Sequence, residues 1–279
     1  LEKKISEENY EKIMKLGDKS LIPEEKILRI YPQKNLFSHV LGQIDDDNTG
    51  ISGLEKSLNE NLRLSKKPIK LTVDKDIQYL IRKELLKYQD IFNSKGSAAI
   101  LMNINDGNIL SLISLPDFNP NKRINITDVN FINRVTKGTY ELGSVFKTFT
   151  FASALNEKLI DPGTEFLDLP KSLKCDRYKI AEYDKEIPSD LTAEQILIRS
   201  GNIGSVRMAQ MVGSAKFKSF LENIGVLSQI EFDFEEVALQ KNYDFGKCRL
   251  ATASFGHGVA TTILQLAKGY AILSNGGYD

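Results

Sequence analysis

Residues 140–155 read YELGSVFKTFTFASAL and place Ser144 and Lys147 one helical turn apart at the head of an apolar run. Side chains three positions apart on a helix share a face, with β-carbons about 5–6 Å apart. Serine is a weak nucleophile at its free pKa and needs a base to take its proton. Lysine can be that base only when largely uncharged, and burial favours this because desolvation penalises the ammonium. The positive end of the helix dipole also favours the Ser144 oxygen as it becomes anionic. The competing reading is structural, since serine is a favoured N-cap and lysine is common on helices. Two features weigh against it. The S-x-x-K spacing occurs once in the chain, and GTYELGS leads in with two glycines that permit close backbone approach. Phe146, Phe149, Phe151, Ala152 and Leu155 then bury the helix, so a lysine one turn into it is not simply solvated.

A second stretch, ILIRSGNIGSVRMAQMVG (196–213), sets Ser200-Gly201-Asn202 between two helical runs, where a serine and an amide can point into a cleft between lobes. Ser57-Leu58-Asn59 repeats that spacing, but inside an amphipathic helical pattern near the N-terminus, and is set aside. Other chemistries lack support. There is no P-loop, no G-x-S-x-G elbow and no Cys/His cluster with zinc spacing. The two histidines, His39 and His257, read as packing residues; a Ser-His-Asp triad could use His257, but it sits in FGHGV with no independent support. The net charge of zero and a pI near 7 give no pull toward nucleic acid or an anionic membrane surface. No apolar stretch reaches the roughly 18 residues of a membrane helix. Cys175 and Cys248 read as unpaired thiols; a disulfide would need an oxidising compartment and matching geometry.

Periodicity predicts a helix over 6–16 with Ser6 as N-cap, a short strand over 27–32, a polar turn at 45–50, and a helix over 51–64 with Ile51, Leu54, Leu58 and Leu62 on one face. The charged segment SKKP (65–68) reads as a domain boundary, followed by a strand over 69–74. A long helix follows over 75–92, with Ile77, Leu80, Ile81, Leu85 and Tyr88 on one side. Two apolar strands around NDGN (105–108) form a hairpin. Residues 116–139 are loop-rich, 161–190 have little periodicity, 192–225 hold successive helices, and 261–275 forms a helix ended by Asn275-Gly276. A helix packed on a hairpin implies an α+β domain.

NRVTKGTYELGSVFKTFTFASAL (133–155) resembles the active-serine segment of penicillin-binding proteins, and LIRSGNIGS (197–205) resembles their second motif. LTVDKDIQYLIRKEL, SAAILMNINDGNILSLISLPDFNPN and SFGHGVATTILQLAKGYAILSNGG match the same family in the same order. HVLGQIDDDNTGISGLEKSLNENL (39–62) is similar to the pedestal segment of the class B enzymes, most closely the division-specific type. The resemblance implies a penicillin-binding/β-lactamase-like transpeptidase domain over 69–279, an antiparallel sheet flanked by helices plus an all-helical lobe, preceded over 1–68 by part of a pedestal domain. It implies a D,D-transpeptidase that cross-links peptidoglycan stem peptides ending in D-Ala-D-Ala and is acylated by β-lactams, without metal or cofactor. Ser144 is then the nucleophile, Lys147 its base, Ser200 a proton relay and Asn202 a binder of substrate backbone. The implied setting is the periplasmic face of the bacterial inner membrane, with one anchor upstream of these residues and a membrane glycan polymerase and divisome proteins as partners; no nucleic acid is involved. Leu142 stands where the family usually has proline, and the family's third motif, Lys-Thr/Ser-Gly on a strand, is not found. On this resemblance, truncation at the C-terminus is expected to account for that gap. In the family the strand bearing that motif supplies one of two oxyanion donors, and loss of one such donor costs roughly 10²–10³ in rate, so residues 1–279 alone are expected to acylate poorly or not at all. The rivals are a serine β-lactamase or β-lactam sensor of the same fold, and a non-catalytic cell-wall scaffold. The pedestal stretch argues against a free β-lactamase, and retention of Ser144, Lys147, Ser200 and Asn202 argues against a scaffold.

Overall fold

The computed structural model describes residues 5–25, 28–65, 67–122, 124–125, 127–176, 178–234, 237–239 and 241–279. The chain divides into two units, Leu1–Ile30 and Tyr31–Asp279. The first carries helix α1 (Glu7–Met14), which starts as expected: the Ser6 hydroxyl accepts from Asn9 N at 3.3 Å, and Glu7 and Glu8 complement the dipole in the first turn. The strand expected over 27–32 does not form. Ile27 lies outside the described residues, and 28–31 are irregular. The backbone of Tyr31 pairs with a side chain rather than a strand: its N–H donates to Asn121 Oδ1 and its carbonyl accepts from Asn121 Nδ2, both at 2.9 Å.

In the second unit, α2 (Ser38–Leu41), α3 (Gly53–Ser57) and α4 (Asn59–Leu64) precede α5 (Lys75–Ile91). The expected turn at 45–50 is present, held by Asp45 Oδ1, which accepts from Asp47 N and Thr49 N. The single helix expected over 51–64 is instead broken at Leu58 (φ −106°, ψ 19°), where Asn59 Oδ1 reaches back to Gly50 N at 2.9 Å. The charged segment 65–68 falls within this unit. The strand expected over 69–74 is also irregular. It runs beside the hairpin, with Asp74 N bonding Leu110 O and Thr72 Oγ1 bonding Ile109 O, but it does not join the ladder. Asp74 then caps α5 through Asp76 N and Ile77 N.

Helix α5 is rotated from the expected apolar face. Leu80 and Tyr88 are exposed, whereas Gln78 is buried. The Gln78 amide donates to Leu36 O and Leu112 O and accepts from Leu112 N and Ser111 Oγ. A fully bonded amide can be buried without penalty, and here it fixes the helix on the sheet. That sheet is the expected hairpin, β1 (Ser97–Met102) antiparallel to β2 (Ile109–Leu115), in register from Ser97↔Leu115 to Leu101↔Ser111. Helix α5 packs on β2 and the last helix, α11, on β1.

The rest forms the helical lobe. Short strand β3 (Thr139–Tyr140) leads into α6 (Lys147–Asn156). After it come β4 (Glu165–Phe166), the hairpin β5 (Ser172–Cys175) and β6 (Tyr178–Ala181), and β7 (Leu191–Thr192). Helices α7 (Ala193–Ile198), α8 (Asn202–Val212), α9 (Ser214–Asn223) and α10 (Lys247–Ala253) follow, then β8 (Thr261–Thr262) and α11 (Ile263–Ser274). Capping boxes at Thr192/Gln195 and Thr262/Gln265 start α7 and α11. Phe146, Phe149, Ile203, Val206, Phe217 and Leu221 are fully buried in the lobe's core. The architecture is thus α+β, an antiparallel hairpin between helices plus a helical lobe.

The cysteines correct an expectation. Cys175, at the end of β5, and Cys248, in the first turn of α10, form a disulfide with Cα atoms 5.5 Å apart. Both sit against the lobe core, which brings together residues 73 apart in sequence. Closing a loop of that length restricts the unfolded chain by about 4 kcal/mol on the chain-entropy argument. Replacing both cysteines by serine is therefore expected to lower the unfolding free energy by about that amount in urea titrations. An unchanged midpoint would show that the crosslink constrains nothing.

Candidate active site

The nucleophile candidate is placed by backbone contacts. Gly143 (φ +62°) opens a turn of 3-10 helix, Gly143–Phe146, which runs directly into α6. Its N–H bonds Gly256 O at 3.2 Å, and a Cβ on Gly256 would lie 2.1 Å from Gly143 O. The backbones of the LGS and FGHG segments therefore touch, which only a glycine at 256 permits. Tyr270 on α11 donates its hydroxyl to Val145 O at 2.7 Å, and Thr150 Oγ1 donates to Ser254 O at 2.7 Å, so the turn is tied from two sides. Ser144 is left exposed at the mouth of a cavity of about 520 Å³ that Lys147, Ser200 and Asn202 also line.

Lys147 is the first residue of α6 and only 2% exposed. Its Nζ donates to Ser200 O at 2.5 Å and to Ser200 Oγ at 2.9 Å. Burial pushes its pKa down from 10.5 to about 8, opposed by the nearby negative charge of Glu182. At pH 7 about a tenth of the amine is therefore neutral. The expected lowering is present, but the amine is poised for deprotonation rather than already uncharged.

Ser200 faces Lys147 because of how α7 ends. Ser200 N bonds Leu197 O and Gly201 N bonds Ile196 O, a Schellman closure with Ser200 in the left-handed position at φ +55°. Glycine normally occupies that position, and a side chain there carries strain. Here both its carbonyl and its hydroxyl converge on the amine. Asn202 opens α8, and its Nδ2 donates to Ala181 O at 2.9 Å. All four side chains singled out in the sequence are thus brought to one cavity.

Two participants escaped the sequence reading. Glu182 lies in the aperiodic stretch 161–190, and its carboxylate accepts from Asn202 N at 2.6 Å and Ile203 N at 2.8 Å. His257, read as a packing residue, is exposed and lines the cavity beside Phe255. His39 does pack: it is buried edge-on to Phe118, its Nε2 is 2.8 Å from Asn130 O, and burial pushes its pKa down to about 4. A larger groove, about 640 Å³, lies between 69–73, the β1–β2 turn and Phe232–Phe234, but no serine, cysteine or histidine lines it.

Residues 97–279 match the family model described as the penicillin binding protein transpeptidase domain. The probable peptidoglycan D,D-transpeptidase FtsI of Caulobacter vibrioides is 29% identical over 95% of this chain and 46% of its own length. The probable peptidoglycan D,D-transpeptidase PenA of Neisseria meningitidis is 28% identical over 99% of this chain and 52% of its own. The chain spans about half the length of the curated relatives it matches. Penicillin binding protein 3 from Mycobacterium tuberculosis superposes with a TM-score of 0.77 at 22% identity, covering 89% of this chain and 58% of that one, a likeness of fold.

A lysine depressed from 10.5 to about 8 also leaves a mark on stability. Between those values the unfolded chain holds a proton that the folded chain has released, so the penalty of burying the ammonium, full below pH 8, is relieved as pH rises. The stability advantage of a Lys147→Met variant over the parent is expected to shrink between about pH 8 and 10.5 in denaturant titrations. A pH-independent difference would contradict the depressed value.

Proposed function

The chain belongs to the penicillin-binding protein transpeptidase family, and from that premise we propose that it carries the acylation site of a serine D,D-transpeptidase that cross-links peptidoglycan. The substrate is a stem peptide ending in D-Ala-D-Ala. Neutral Lys147 takes the hydroxyl proton of Ser144 as Ser144 Oγ attacks the penultimate D-Ala carbonyl. The tetrahedral oxyanion collapses, the peptide C–N bond breaks, and the terminal D-Ala leaves as an amine carrying the proton. The amine of a neighbouring stem peptide then attacks the acyl-enzyme carbonyl, the ester bond to Ser144 Oγ breaks, and the amine's proton passes through the site to the Ser144 oxygen as the cross-link forms. Ser200 relays the proton between Lys147 and the leaving or entering amine, and Asn202 binds the substrate backbone. β-Lactams enter the same sequence as mimics of the D-Ala-D-Ala amide and stop at the acyl-enzyme.

The observation that carries this reading is the buried Lys147 amine. It is bonded to the Ser200 hydroxyl at 2.9 Å in the cavity that holds Ser144. A structural lysine has no need of that arrangement, because burying an ammonium costs several kcal/mol unless the charge is compensated. The reading extends to the setting. Residues 1–68 form part of a pedestal domain and 69–279 part of the transpeptidase domain. The protein acts in septal wall synthesis with a membrane glycan polymerase and divisome proteins. It stands in the periplasm on an anchor upstream of these residues. The Cys175–Cys248 disulfide supports an oxidising compartment. Among the described residues no helix is long and apolar enough to cross a membrane.

The test is covalent labelling of the full-length protein with a fluorescent penicillin. Ser144→Ala is expected to abolish the adduct, and Lys147→Ala to slow acylation by about 10²–10⁴, the range of general-base contributions. The parent rate is expected to rise tenfold per pH unit below the Lys147 pKa of about 8 and to level off above it. An adduct that survives loss of Ser144 would refute the assignment.

A further inference from the structure

Helix α8 begins without the usual cap. Its N-cap residue is Gly201, which has no side chain to accept from the first-turn amides. The acceptor comes from 20 residues upstream: Glu182 Oε2 takes Asn202 N at 2.6 Å and Oε1 takes Ile203 N at 2.8 Å. The preceding residue, Ala181, accepts from Asn202 Nδ2 at 2.9 Å. Two consecutive residues at the open end of the β5–β6 hairpin thus grip the backbone and side chain of Asn202. That hairpin is itself anchored. Its ladder runs from Ser172↔Ala181 to Cys175↔Tyr178, and at the turn end Cys175 is bonded to Cys248 of α10. The grip is applied one residue beyond Gly201 and two beyond Ser200, whose strained left-handed conformation aims its carbonyl and hydroxyl at Lys147.

We propose that Glu182 is a positioning residue of the acylation site: its carboxylate stands in for the absent cap of α8 and holds the Ser200–Asn202 turn against Lys147. This rests on the transpeptidase reading. Glu182 need not touch substrate. A bidentate carboxylate on two amides makes charge-assisted hydrogen bonds, which are stronger than neutral ones. It also fixes where the turn lies, and the turn has no side-chain cap of its own. The same carboxylate acts electrostatically on Lys147 and raises its pKa against the effect of burial. Among the described residues, the other charged or titratable groups around the cavity are Lys179 on β6, Tyr183, His257 after α10, and Asp184 with Arg199, which pair with each other at 2.9 Å.

Glu182→Gln tests this in the full-length protein. One amide oxygen can accept from one N–H, but the NH₂ group then confronts the other, donor against donor. Acylation by a fluorescent penicillin is expected to fall by about tenfold or more on the high-pH plateau, as a charged hydrogen bond to the turn is lost. The inflection of the pH–rate profile is expected to move to lower pH, because removing the negative charge removes what raises the Lys147 pKa. Glu182→Asp, which keeps the charge and both oxygens, is expected to recover the inflection and part of the rate. Amide hydrogen exchange, which needs no acylation, is expected to speed up at Asn202 and Ile203 in Glu182→Gln. If the parent is acylated and Glu182→Gln matches it in rate, inflection and exchange, the positioning role is wrong while the transpeptidase reading stands. If the parent itself forms no adduct, that reading fails and takes this one with it.

Discussion

The site depends on a lysine amine taken out of bulk solvent, whose hydrogen bonds among the described residues go to one residue. Lys147 donates to Ser200 twice, through the carbonyl and the hydroxyl. A buried ammonium with two neutral acceptors is less favourable than a hydrated one, so the proton is held loosely and the pKa falls to about 8. The same burial that weakens the ammonium makes the free amine available as a base near neutral pH. Much of the surrounding lobe serves to keep that amine dry. Phe146 and Phe149 are fully buried beside it in sequence, and α6 packs on α8 and α7.

The second constraint is strain at Ser200. Its left-handed φ of +55° would suit glycine better, and in that conformation both the carbonyl and the hydroxyl bond Lys147. Strain of this kind persists only where neighbours hold it. Here they are the Schellman bonds to Leu197 and Ile196 on one side and the Glu182 carboxylate on the other. The disulfide extends the support by tying the hairpin that precedes Glu182 to α10, whose C-terminal end and following turn bring Thr252, Phe255 and His257 to the cavity. The cleft is therefore walled by segments fixed to one another by covalent and charge-assisted bonds.

Much of this was legible in the sequence, for physical reasons. The S-x-x-K pair and the S-x-N turn are local patterns, and their residues line one cavity. The hairpin around NDGN and the helices at 75–91 and 263–274 carry strong period-2 or helical signals with caps, and they formed close to their expected bounds. The misses are non-local. Residues 69–74 have strand-like alternation, yet they bond the hairpin through Asp74 N and the Thr72 hydroxyl rather than through a ladder. Gln78 turned α5 because its four hydrogen bonds depend on partners about 33 to 42 residues away, which periodicity cannot register. The pairing of Cys175 with Cys248 and the reach of Glu182 to α8 both pass through the short polar hairpin at 172–181, too brief to show alternation. A signal for Glu182 did exist: a helix starting after Ser-Gly with no capping side chain demands an acceptor from elsewhere.

The most direct measurement is the titration of the Lys147 amine itself, followed by the ¹³Cε shift of labelled lysine with Lys147→Arg providing the assignment. The account predicts a transition near pH 8, separated from the other lysines. A transition with the surface lysines, near the ordinary 10.5, would mean that the amine is solvated and that well under about a thousandth of it is neutral at pH 7, too little for the base this account requires.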